Sequence, residues 1–130
     1  MSWKHFTDLI VWQKAMDLTD AVYALTGSLP NSELFALSDQ MRRAAISIPS
    51  NIAEGHGRQS AKEFRQFLSI AKGSACELET QVYIGIRQNF FSQEKAQPVL
   101  GLCVEVRKML TALARHTSDT AQNSNLETQN

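Results

Sequence analysis

Apolar residues recur at three- and four-residue steps along most of this chain, the pattern of helices that each bury one face. Trp12, Ala15, Met16, Thr19, Val22 and Tyr23 place a first helix between Thr7 and Thr26, with Thr7 or Asp8 as its cap. Gly27, Pro30 and Asn31 break that pattern, and Asn31 or Ser32 is suited to cap a second helix. The second helix runs to Glu54 on the stripe Leu34, Leu37, Met41, Ala44, Ala45, Ile48 and Ile52. Pro49 lies inside it and removes one backbone donor. Ile52 nevertheless stays in phase with Ile48 and Ala45, so a kinked continuation is expected. Gly55, His56 and Gly57 then end the helix, glycine offering the left-handed geometry of a C-cap.

Ser60 and Glu63 form an S-x-x-E capping box ahead of the third helix, whose inner face reads Phe64, Phe67, Leu68, Ala71, Ala75, Leu78 and Val82 up to about Gln88. The small run Gly73-Ser74-Ala75 suggests close approach of a neighbouring helix. Asn89 to Gln93 turns the chain, and a fourth helix runs from Glu94 to Arg115 on Val99, Leu100, Cys103, Val106, Leu110 and Ala114. Pro98 falls near its first turn, where proline is tolerated. From Thr117 to Asn130 the periodicity gives way to Ser, Thr, Asn and Gln. Four helices with short connections predict an all-α, antiparallel up-down-up-down bundle over residues 1–116, followed by a disordered polar C-terminal tail over 117–130.

A second apolar stripe lies outside these faces. Ile70, Glu77 and Ile84 share a heptad position on helix three, and Leu102, Met109 and Leu113 do much the same on helix four. A surface helix is polar there, so these six residues are candidates for an interface between chains. Glu77 between two isoleucines then needs a partner across that interface.

Composition narrows the picture without supplying a function. The chain has 130 residues, 43 % apolar and 20 % charged, which fits a single soluble domain with its own core. Thirteen basic residues balance thirteen acidic ones, which speaks against a dedicated, strongly basic nucleic-acid binder. The balance is regional. Residues 1–40 have two basic and five acidic groups, residues 41–72 have six and two, and the remainder has five and six. Arg42, Arg43, Arg58, Lys62, Arg65 and Lys72 are therefore the candidate phosphate contacts. No aromatic residue interleaves with this group, so stacking of bases gains no support at this level.

Other chemistry is not signalled. Cys76 and Cys103 sit in apolar patterns and read as buried thiols, and no Cys/His spacing suggests zinc. Glu54, His56, Glu77 and Glu79 lack the paired Glu-x-x-His motifs of di-iron bundles. No catalytic residue, metal, cofactor or small-molecule substrate is inferred. The first residues lack the apolar core of a signal peptide and no apolar run reaches a membrane span, so a cytoplasmic protein is expected.

Three blocks carry a resemblance: F-T-D-L-I-V-W-Q-K-A-M-D-L from Phe6, Q-M-R-R-A-A-I-S-I-P-S-N-I-A-E-G-H-G-R from Gln40, and G-S-A-C-E-L-E-T-Q-V from Gly73. Together they closely resemble the four-helix bundle protein family, also called the 23S rRNA intervening-sequence protein family, over roughly Phe6 to Arg115. The resemblance implies an antiparallel bundle that assembles as a homopentamer, with nucleic-acid binding the usual conjecture for its role. A more distant likeness is to the accessory variability determinant proteins of diversity-generating retroelements, which form similar pentamers and bind nucleic acid. The matching polar residues Arg42, Arg43, Asn51, Glu54, Glu77, Glu79, Thr80 and Gln81 suit either a network between helices or subunits or a ligand site. The function expected is a non-enzymatic oligomeric scaffold associated with RNA or DNA; the alternative is a protein-interaction adaptor that binds no nucleic acid.

Overall fold

The computed structural model describes residues 4–27, 29 and 32–128, and side chains over 4–27, 29 and 35–117. A short 3-10 turn at Phe6–Asp8 leads into four helices: α1 (Ile10–Gly27), α2 (Ser32–His56), α3 (Ala61–Arg87) and α4 (Gln93–Thr128). Each helix packs on its neighbours in the chain and α1 also packs on α4, while among the described residues the backbones of diagonally opposed helices do not approach closely. That is the up-down-up-down bundle. The side chains beyond Thr117 lie outside the described residues, and so does the expected disordered tail. The backbone of α4 itself runs to Thr128, past the expected end at Arg115.

The core follows the predicted stripes on α2, α3 and α4. Met41, Ala45, Ile48 and Ile52 meet Leu68, Ala71, Leu78 and Val82, and Val99, Cys103, Val106 and Leu110 close the fourth side. Leu34 lies outside the described side chains.

Helix α1 is rotated from its expected face. Val11, Ala15, Leu18, Val22 and Leu25 are buried, whereas Met16 and Tyr23 stand 39 % and 45 % exposed. The aliphatic residues at steps of three and four outcompete the larger amphipathic ones, which settle at the margin.

Pro49 sits inside a continuous α2. Its missing N–H would have paired with the carbonyl of Ala45. The hydroxyl of Thr19 on α1 lies 3.4 Å from that oxygen, besides donating to Ala15 O at 2.9 Å. The neighbouring helix thus sets a polar group beside the gap, although the hydroxyl's single proton is shared with the shorter bond to Ala15 O.

The caps follow local chemistry. Ser60 Oγ accepts from Glu63 N, as the S-x-x-E pattern predicts, and Ser92 Oγ accepts from Lys95 N at the start of α4. At the first turn His5 acts instead of the predicted Thr7 or Asp8: its ring accepts from Thr7 N while its own N–H donates to Asp8. The predicted caps of α2 lie outside the described residues or side chains.

Glycine serves differently from expectation. No described glycine has a positive φ; the left-handed residue is Asn89, at φ 63° in the turn between α3 and α4. Gly55 is inside α2, where a Cβ would lie 2.6 Å from Phe67 Cβ. Gly85 faces the ring of buried Phe91, which folds back under the turn. Gly73, expected to admit a neighbour, has nothing within 4 Å of a Cβ position. Close approach occurs at Gly55 and Gly85 and not at Gly73.

Candidate nucleic-acid interface

The six cations nominated by sequence do not form one surface. Arg42, near the start of α2, lies over the ring of Tyr23 at 4.6 Å and donates to Thr26 Oγ1 at 2.9 Å. Arg43 pairs with Asp39 one turn earlier, at 3.0 Å. Arg58, past the other end of α2, pairs with Glu54 at 2.9 Å and stacks on Phe67. These three are engaged within the chain. The i,i+4 spacing of Asp39–Arg43 and Glu54–Arg58 was visible in the sequence and is the signal that separates them from the rest.

Lys62, Arg65 and Lys72 remain, all on α3, and none makes an ion pair among the described residues. At 3.6 residues per turn they lie within about 80° of one another. Their side of α3 faces α4, as the contact between Glu79 and Arg107 shows: Arg107 Nη2 donates to both carboxylate oxygens, at 3.1 and 3.3 Å. This pair is largely shielded from water, with side chains 30 % and 18 % exposed.

The facing helix adds cations that the regional count had diluted. Lys72, Arg107, Lys108 and Thr111 line a shallow cleft of about 200 Å³ between α3 and α4. Arg115 follows Thr111 by one turn, and Arg87 lies at the far end of the α3 stripe, both exposed and without an ion pair among the described residues. Among the acids of α3, Glu79 is tied to Arg107, while Glu63 and Glu77 fall about 100° and 60° from Lys62 towards the α2 side. Nε of Arg107 and Nη1 of Arg65 are shielded from water without a protein acceptor.

Two further side chains occupy this face. Cys76, expected to be buried, is exposed there, because it lies about 100° away from its buried neighbour Ala75. Tyr83 stands 51 % exposed on the same stripe, so an aromatic does accompany the cations, beyond the window in which sequence had sought one. Cys103 is buried as expected, and burial, helped by the nearby Glu79 carboxylate, pushes its thiol up to about 12. It stays protonated and unreactive at neutral pH.

The residues nominated for an interface between chains divide in the same way. Ile70 and Ile84 are 52 % and 45 % exposed, and Glu77 between them is exposed and accepts from Gln81 Nε2 at 3.4 Å. They fall on the α2 side of α3, bordering the cationic stripe at Lys62 and Arg87 and well away from Lys72. Leu102, Met109 and Leu113 are half-buried and pack against the chain's own core. The matching polar residues form contacts between helices in part: Asn51 Nδ2 donates to Ser47 Oγ, which pairs with Ser74 Oγ on α3 at 2.8 Å. Thr80 instead bonds one turn back, to Cys76 O.

Among the described residues no cluster of His, Cys, Asp or Glu could hold a metal, and no helix is long and apolar enough to cross a membrane.

Comparison with known proteins agrees with this fold and places the chain. A family model, the 23S rRNA-intervening sequence protein, matches residues 7–112. The chain belongs to that family. A crystal structure of a protein of unknown function from the S23 ribosomal protein family of Bacteroides thetaiotaomicron superposes with a TM-score of 0.74 at 28 % identity, covering 80 % of this chain and 97 % of that one. No curated protein matches the chain. All four helices described above contribute to the span matched by the intervening-sequence family, and the α3–α4 cleft lies within it.

Proposed function

We propose that the protein is a non-enzymatic, homo-oligomeric scaffold of the cytoplasm that associates with nucleic acid, RNA foremost, through the face formed by α3 and α4. One observation carries this reading. On a chain of zero net charge, six cations without ion pairs among the described residues gather along one face where Glu79 is already neutralised by Arg107. Such a surface attracts a phosphate backbone by releasing its condensed counterions. The family's association with rRNA intervening sequences is consistent with RNA as the partner.

Titration with RNA at roughly 50 mM salt should show binding that weakens steeply as salt rises. The Lys72→Glu/Lys108→Glu double variant should bind at least about tenfold more weakly, with a shallower salt slope. Arg43→Glu, which breaks a local pair away from the cleft, should bind like the parent. Absence of binding at low salt, or indifference to the double reversal, would sink the reading.

Self-assembly, as a pentamer if it follows the family resemblance, is proposed through Ile70 and Ile84. Their stripe is about 120–160° from Lys72 around α3, so assembly there leaves the Lys72–Lys108 cleft open while approaching Lys62 and Arg87. Sedimentation should give a multiple of the 14.5 kDa chain mass, and Glu77→Lys should weaken the assembly. A monomer at micromolar concentration contradicts it.

A further inference from the structure

The exposed ring of Tyr83 bears on which form of nucleic acid the α3–α4 face accepts. Tyr83 is eighteen residues, five full turns, beyond Arg65 and about 20° from the direction of Lys72. Arg87 follows it one turn later, so the ring stands within the row of cations and not beside it. It is 51 % exposed, and its hydroxyl has no hydrogen-bond partner among the described residues. A half-exposed aromatic one turn from Arg87 and about 16 Å along the same stripe from Lys72 combines the two elements of a single-strand platform: charges that track the backbone and a ring on which a base lies flat. The stripe from Lys62 to Arg87 spans about 37 Å, room for several nucleotides of an extended strand.

We infer that the α3–α4 face binds single-stranded nucleic acid, with phosphates along Lys62, Arg65, Lys72 and Lys108 and an unpaired base stacked on Tyr83. A duplex meets the cations equally well, but its bases are stacked on one another and offer their edges, not their faces, to a protein. Preference for single strands is therefore the mark of the tyrosine, and salt dependence is the mark of the cations. The inference rests on the proposed association with nucleic acid and adds the form of the ligand to it.

The test uses the full chain with a single-stranded RNA of about 12 nucleotides, the matching single-stranded DNA, and an RNA duplex of the same length. Both single strands should bind more tightly than the duplex at equal salt. Tyr83→Ala should weaken single-strand binding about tenfold and leave duplex binding and the salt slope unchanged, because no phosphate contact is lost. Tyr83→Phe, which keeps the ring, should bind like the parent, and thermal melts of both variants check folding. Equal affinity for duplex and single strand, or a Tyr83→Ala variant that binds single strands normally, overturns the inference while leaving the charge-based association standing. Loss of all binding in the parent protein removes both.

Discussion

Leu18→Ala should lower the stability of the protein by about 2–5 kcal/mol, the range for truncating a fully buried leucine. Leu18 is 0 % exposed near the middle of α1, where the buried line Val11, Ala15, Leu18, Val22 and Leu25 meets the other helices. Removing three carbons there forfeits their transfer from water and leaves a cavity that four packed helices close only in part. Met16→Ala, two residues earlier, should cost under about 1 kcal/mol, since its side chain is 39 % exposed and a partly solvated thioether loses less on truncation. Urea melts of the two variants, compared at one protein concentration, decide the matter. If the Met16 variant loses as much as the Leu18 variant, α1 presents the face read from the sequence and the packing described here is wrong.

Gly55→Ala should cost about 1–3 kcal/mol, the usual range for forcing extra volume into a packed contact. In a helix interior alanine is ordinarily favoured over glycine by up to about 1 kcal/mol, so the expected sign runs against propensity. The reason is geometric. A Cβ at Gly55 would lie 2.6 Å from Phe67 Cβ and 3.0 Å from Phe64 Cδ1, and a β-carbon is fixed to its backbone and cannot swing aside. Relief requires α2 and α3 to separate near one end of the bundle. Gly73→Ala provides the opposite case: with nothing within 4 Å of the new methyl group, it should gain roughly 0.5–1 kcal/mol from helix propensity alone. Thermal melts of both variants should move in opposite directions from the parent. A stabilised Gly55→Ala would show that the two helices are not in contact there.

The glycines illustrate where the sequence was legible. A glycine within a helical run signals that something requires it, but not whether that is a turn, a close contact or nothing. Gly55 and Gly57 together looked like a terminus, and α2 does end at His56 between them, but Gly55 is still helical and uses its missing side chain against Phe67. Gly73 looked like a contact and is an open surface position. The inner faces of α2, α3 and α4 were readable because each carries one long line of apolar residues at three- and four-residue steps, longer than the second stripes on α3 and α4. On α1 two overlapping lines shared Ala15 and Val22, and the choice between them depended on what the opposing helices could accommodate.

The candidate site shows a similar division. Counting charge along the chain located a basic middle, and the i,i+4 acids at Asp39 and Glu54 marked two of its engaged arginines, Arg43 and Arg58, whereas Arg42 is held by Tyr23 and Thr26 of another helix. What no linear window contains is the alignment of Lys72 with Lys108 and Arg115, because these lie 36 and 43 positions apart in the chain and become neighbours only when α4 returns beside α3. Tyr83 likewise lay outside the window yet inside the face.

By itself the sequence determined four amphipathic helices, their order, most of their inner faces and a neutral total charge, because helical periodicity and capping are local properties encoded within a few residues of one another. Tertiary structure decided which line of α1 is buried, which glycines bear a contact, which arginines are already paired, and which cations share a face. Each of these depends on groups from different helices meeting across the bundle, and distance along the chain carries no information about that meeting. The balanced charge is thus a property of the chain, and the cationic α3–α4 face is a property of the fold.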